Sequence, residues 1–196
     1  MTKAMRWRII VLQVIAILVL AGASSAAFFA SNFTNTEIRN QLAPQQIYFP
    51  ATAAQGLPAN LSAYAGQQVV NGDQAHAYAE KFIGLHLSEI GQGHPYSYWS
   101  AQARTAADPQ VAAKDQAIAD TLFKGDTLRS MLNTAWTFSV IGQIGFYAGI
   151  GLSIATLLTL GALSFEVYEL AARKEIAEVV SVKPASDLRA SLPAGV

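Results

Sequence analysis

The stretch IIVLQVIAILVLAGASSAAFF, residues 9–29, decides the fold: 21 residues without an ionisable side chain, Gln13 being the most polar among them. An α-helix rising about 1.5 Å per residue crosses a hydrocarbon core of about 30 Å with roughly 20 residues. The run is therefore long enough to span a bilayer. A second uncharged stretch occupies residues 130–165, and its most apolar part is residues 138–163. At 36 residues it exceeds what a perpendicular crossing needs, so the helix tilts or projects beyond the lipid. Trp136 near one end and Tyr168 near the other suit interfacial anchoring and favour projection.

The composition of the whole chain agrees with lipid as a solvent. Of 196 residues, 52% are hydrophobic and only 13% charged, whereas soluble domains carry about 25% charged residues. Thirteen basic and thirteen acidic side chains balance, which argues against a nucleic-acid binder that neutralises phosphates with a basic face. No cysteine is present, so disulfides, thiolate metal sites and cysteine nucleophiles are excluded.

Orientation follows from the positive charges. Lys3, Arg6 and Arg8 precede the first span, Arg173 and Lys174 follow the second, and the positive-inside rule puts both termini in the cytoplasm. The segment between the spans is then extracytoplasmic; residues 30–135 carry eight acidic and six basic side chains. The expected fold class is an all-α membrane protein of two transmembrane helices flanking a small helical extracytoplasmic domain. Its order is a cytoplasmic N-terminus (1–8), a first span (9–29), the external domain (30–135) with a Pro/Gly-rich strap at 41–72, a second span (136–165) and a cytoplasmic tail (166–196). A cleaved signal peptide is the rival reading of the N-terminus, because Ala21-Gly22-Ala23 resembles a small-residue cleavage site. The apolar run continues through Phe28 and Phe29 to spanning length, which favours an uncleaved anchor.

Within the external segment helix signals recur. Asn71-Gly72 reads as a turn, after which Asp73 caps a helix to about Ile90 that Gly91 and Gly93 stop. Ala75, Tyr78, Phe82 and Leu85 share its apolar face. Asp108-Pro109 starts a second helix, which Gly125 interrupts, and Asp126 starts a third that runs into the second span. Pro44, Pro50, Gly56, Pro58 and Gly66 punctuate the strap too often for a long helix, so it lies extended over the helices or a partner. Residues 91–99 read as a loop whose Tyr96, Tyr98 and Trp99 pack a small core, rest at a membrane surface, or contact a ligand or partner. After Arg173 the tail is charged, then Pro- and Ala-rich, and is expected to be disordered. Two or three short helices bury little surface by themselves, which points to docking on something larger.

Candidate chemistry is sparse. His76, His86 and His94, with Asp73, Glu80 and Glu89, are the residue types a zinc, iron or copper site needs when thiolates are missing. His76 and His86, ten positions apart, lie some 80° apart around a helix, and no HExxH or paired ExxH spacing occurs, so solvated or capping histidines are favoured. Neither GxSxG nor SxxK is present, nor a GxxxxGK[ST] or GxGxxG phosphate cradle. No catalytic residue, metal ligand or cofactor is assigned. Neither span holds an intramembrane charge for ion coupling. The second span carries a packing signal instead: Gly142, Gly145, Gly149 and Ser153, with Gly145 and Gly149 forming GxxxG, let another helix approach closely. That helix is the chain's own first span, where Gly22, Ala23, Ser24 and Ala26 offer a small-residue surface, or belongs to a different protein. Asn32-Phe33-Thr34 and Asn60-Leu61-Ser62 match the glycosylation sequon, but the alanine-rich composition reads as bacterial.

Residues 64–69 (YAGQQV), the helix over 74–87 and residues 120–129 (DTLFKGDTLR) resemble uncharacterised actinobacterial two-span membrane proteins. The resemblance implies a bacterial plasma membrane and carries over no catalytic or cofactor residue. The expected function is a non-catalytic accessory or scaffolding subunit of a larger membrane assembly, such as a respiratory or envelope complex, whose partners are the bilayer and other integral membrane proteins. The alternatives are an extracytoplasmic sensor with a ligand near residues 96–99, and a His/carboxylate metal-dependent enzyme.

Overall fold

A computed structural model describes residues 3–182. The expected disorder of the tail from Pro184 lies outside the described residues. The chain is helical: α1 (Lys3–Leu42), α2 (Gly72–Ala77), a π-helical segment (Tyr78–Ile83), α3 (Gly84–Ile90), α4 (Tyr96–Thr105) and α5 (Pro109–Val182). Among the described residues there is no strand, only an isolated antiparallel bridge between Tyr48 and Gln68. α1 and α5 are each long and apolar enough to cross a membrane. Two compact units form, a body (Ala27–Tyr147) and a helix pair made of the described residues before 27 and after 147.

The body has its own core. Phe49, Leu61, Val69 and Leu132 are its largest fully buried side chains, with Ile38 and Leu42 of α1 in the same cluster. Three of those four large residues come from the strap, which is therefore a core-forming element and not a mere cover. Its short 3-10 turns accommodate the prolines, and its two arms meet through Phe49 N donating to Gln67 O (2.9 Å) and Val69 N donating to Ile47 O (2.8 Å). Phe49 stacks on Tyr64 at 5.0 Å and meets Tyr78 edge-on at 5.1 Å.

Where the strap ends, α2 begins two residues earlier than an Asp73 cap predicts. Asn71 is the N-cap: its Oδ1 accepts from Gln74 N at 2.9 Å, and Gln74 Oε1 accepts in turn from Val70 N at 2.9 Å. The Asn71 bond satisfies one of the orphan donors of the helix start, and the Gln74 bond ties the incoming chain at Val70 to the first turn. Gly72 allows α2 to approach α5 closely, since a Cβ there would lie 2.0 Å from Ser139 Oγ.

Of the expected face, Ala75 is buried and Tyr78 and Phe82 pack against the core, so only Leu85 departs from it. Ala75, Ala79 and Ile83 are buried, Leu87 packs beside them, and Leu85 is 45% exposed. Four-residue steps drift by about 40° on an ideal α-helix; the wider π turn absorbs that drift and keeps these four residues inward. Gly125 does not interrupt anything. α5 runs through it, and a Cβ at that position would sit 2.4 Å from Leu87 Cδ2. The glycine costs about 1 kcal/mol of helix propensity and is retained for close packing. Asp108 stands at the head of α5, its Oδ1 accepting from Gln110 N at 2.8 Å.

In the helix pair almost nothing apolar is covered. Only 6% of the most apolar window of each long helix is buried within the chain, the reverse of a soluble core helix.

Candidate functional site

The body's polar chemistry converges on one face of α5. Arg129, the last charge before the uncharged stretch, grips Glu80 of the π segment with both Nε (3.2 Å) and Nη2. Asn133, one turn further along, donates from Nδ2 to Glu80 Oε1 at 2.6 Å, and its Oδ1 lies 3.1 Å from His76 Nδ1. With the amide oriented in this way, His76 Nδ1 carries the proton and donates. The His76 ring stacks on Trp136 at 4.1 Å. Trp136, expected as an interfacial anchor, thus has a protein partner, while Tyr168 is 72% exposed.

The bidentate Arg129 contact, then the Asn133 bond, hold the Glu80 carboxyl below its ordinary value of 4.5 against an opposing contribution from partial desolvation. Glu80 reciprocally raises the Arg129 guanidinium further. Burial pushes the Tyr78 phenol up. The cluster is a clamp between the π segment and α5. Residue spacing did not reveal it, because its members are 49 to 57 positions apart. The one signal available was an arginine placed last before so long an uncharged run.

The histidines separate. His86 Nδ1 lies 2.8 Å from Phe82 O, and His94 stacks on Tyr98 at 3.9 Å. Among the described residues no group of three or more histidines and carboxylates is placed to hold a metal.

Tyr96, Tyr98 and Trp99 are helical, not in a loop, because the turn at Gly91 to Pro95 is short and α4 starts at once. Trp99 Nε1 donates to Gly91 O at 2.8 Å, which ties α4 to the end of α3. Tyr98 lies against His94 and Trp99. Tyr96 points elsewhere, to Phe123 of α5 at 5.6 Å. The three rings do not converge on one ligand. Tyr96, Phe123 and Met131 instead border a shallow hollow of about 440 Å³.

The small residues of α5 face α1. In the body, a Cβ at Gly142 would meet Thr34 at 3.4 Å and one at Gly145 would meet Ala27 O at 3.4 Å. In the helix pair, Ser24 Oγ donates to Gly149 O at 2.9 Å and lies 2.7 Å from Ser153 Oγ. The α1 side of these contacts is Ser24, Ala27, Ser31 and Thr34. Gly22, Ala23 and Ala26 are exposed; Gly22 and Ala26 lie on the other side of the helix from Ser24.

One cleft of about 600 Å³ opens between α1 and α5 in the body. Ile38, Leu42 and Leu132 form its apolar floor, Phe33 and Phe138 flank one end, and Gln45 and Ile47 line the other.

No protein-family model matches the chain, and neither the curated proteins nor the solved structures contain a significant match. What the fold defines is an all-helical protein with two long apolar helices capable of crossing a membrane.

Proposed function

We propose that the chain crosses a bacterial plasma membrane twice, with both termini cytoplasmic and residues 30–135 outside, and serves as a non-catalytic accessory or scaffolding subunit of a larger assembly. The charges of Lys3, Arg6, Arg8, Arg173 and Lys174 support the orientation. The resemblance to actinobacterial two-span proteins supports the setting. The observation that carries the subunit reading is apolar surface on the body that the chain itself leaves uncovered. Phe123 is 58% exposed, Met131 65% and Tyr96 39%, grouped about one hollow, and contiguous exposed apolar patches mark interaction sites.

A sensor is the second reading, favoured by α5 passing as one helix from Pro109 to Val182, a mechanical route from the body to the far side of a membrane. Purification of the tagged full chain in mild detergent tests the first reading. Stoichiometric partner proteins are expected, and a monodisperse species of this polypeptide alone overturns it. Orientation is tested with Ile90→Cys and Ala185→Cys in whole cells. A membrane-impermeant thiol reagent should reach position 90 and not 185, and the opposite pattern overturns the topology.

A further inference from the structure

We propose that the cleft between α1 and α5 binds one acyl chain of a bilayer amphiphile whose headgroup donates hydrogen bonds. The inference rests on the membrane-spanning reading and is independent of the subunit reading.

Its volume of about 600 Å³ falls in the range of roughly 300–1,000 Å³ typical of small-molecule sites. From Phe33 to Leu42 the α1 wall rises about 14 Å. An acyl chain reaches about the same length, since one leaflet of a ~30 Å core holds ~15 Å of hydrocarbon, so a single chain drawn from the outer leaflet fits the cleft's length.

The ends and edges differ in a way that suits an amphiphile. Phe33 stacks on Phe29, the last residue of the first apolar run, at 6.4 Å, and both rings are exposed, 59% and 73%. A ladder of aromatic surface therefore leads from the apolar run into the cleft. Along one edge Glu37, Gln41 and Gln45 recur at four-residue steps, and Gln41 Nε2 donates to Glu37 Oε1 at 2.9 Å. The exposed Glu37 carboxylate keeps acceptor capacity beyond the one bond from Gln41 and repels anions, which selects an ammonium or hydroxyl headgroup over a bare phosphate monoester or a fatty carboxylate.

The test uses the full chain in phosphatidylcholine nanodiscs doped with lysophosphatidylethanolamine bearing a diazirine at the chain terminus. Photolysis and peptide mapping should place adducts at Leu128 and Met131 in excess of those at Val111, which lies on the same helix away from the cleft. Thr134→Trp, an exposed lining position on α5, should fill the cleft and lower those adducts ~fivefold, the equivalent of ~1 kcal/mol, relative to adducts at Leu157 and Leu158. The conservative exposed variant Glu37→Gln should lessen the preference for lysophosphatidylethanolamine over lysophosphatidic acid, which keeps the site testable if Thr134→Trp does not fold. Adducts at Leu157 with none above the Val111 level at Leu128 and Met131 overturn the site while leaving the spans intact. Adducts at neither overturn the spanning reading as well. A co-purified polypeptide cross-linked into the cleft in place of lipid also overturns the proposal.

Discussion

The body and the helix pair place the same kinds of side chain in opposite directions. In the body, Phe49, Leu61, Val69 and Leu132 are almost wholly buried, and a clamp of Glu80, Arg129 and Asn133 stays part-exposed at the side. In the helix pair, Leu12, Leu18, Leu157 and Leu158 are 65% to 71% exposed, and the buried contact is between a serine and a glycine carbonyl. Water drives leucine inward at about 25 cal/mol per Å². Lipid gives no such drive, and small polar residues then decide how helices meet. The helix pair, on the spanning reading proposed above, answers to lipid and the body to water, and each of the following variants has a different expected effect in the two regions.

The largest effect belongs to the body's core. Phe49→Ala removes a ring that is 2% exposed and contacts two aromatic neighbours, and should cost about 3–5 kcal/mol. Thermal unfolding of the detergent-solubilised full chain, followed by near-ultraviolet circular dichroism, reads the loss. Truncation of Leu157 to alanine, by contrast, should leave that transition in place, because it opens no cavity. A transition unmoved by Phe49→Ala would mean that the strap is not part of the core.

A charge reverses the ranking. Leu157→Arg should raise the cost of insertion by about 2.5–3.5 kcal/mol if the position faces lipid, seen as a reduced inserted fraction in a translocation assay. Leu85→Arg, on the exposed side of α3 at 45%, should stay within about 0.5 kcal/mol. Equal tolerance at both positions would remove the distinction between the two solvents.

The two regions also differ in how much of them is legible from sequence. An uncharged run of 21 residues at 9–29 has few folded alternatives, and the helix start at Asp108-Pro109 depends on three neighbouring residues. Long-range steric facts are a different matter. Gly125 reads as a breaker because its helix penalty is local, whereas its reason, the Leu87 side chain lying against it, comes from a segment far away in sequence. The π segment is hidden for a related cause: a face of Ala75, Ala79, Ile83 and Leu87 looks misaligned until the helix widens. Tyr96, Tyr98 and Trp99 read as loop because Gly91 and Gly93 precede them, although only the turn needs those glycines. The clamp joins residues some fifty positions apart, and no periodicity records such a pairing.

The clamp makes a smaller prediction, with a sign set by its chemistry. The folded-state pKa of Glu80 is lowered, so its contribution is complete above the ordinary 4.5 and lost as pH falls through the lowered value. Both side chains keep about a third of their surface in solvent, 38% and 33%, and screening limits the effect to about 1 kcal/mol. Wild type should therefore lose that much of the body's stability between neutral pH and the acid side of the transition. Glu80→Gln should begin lower and respond less. An identical acid response in both would show that other carboxyls dominate.

The smallest expected effect tests the helix pair on its own terms. Ser24→Ala removes the hydrogen bond to Gly149 O and the contact with Ser153 Oγ while preserving close approach. Interhelical hydrogen bonds in membranes average about 0.6 kcal/mol, since the separated helices also find partners. Ser24→Leu keeps the apolar character that lipid tolerates but adds bulk where the carbonyl of Gly149 approaches. Alanine should therefore shift the separation of α1 and α5 only slightly, and leucine much more, as measured by distance between spin labels at Val19 and Leu158. If alanine is as disruptive as leucine, hydrogen bonding and not close packing holds the pair. If neither moves the distance, the serine contact is incidental and the helices are held together from the body alone.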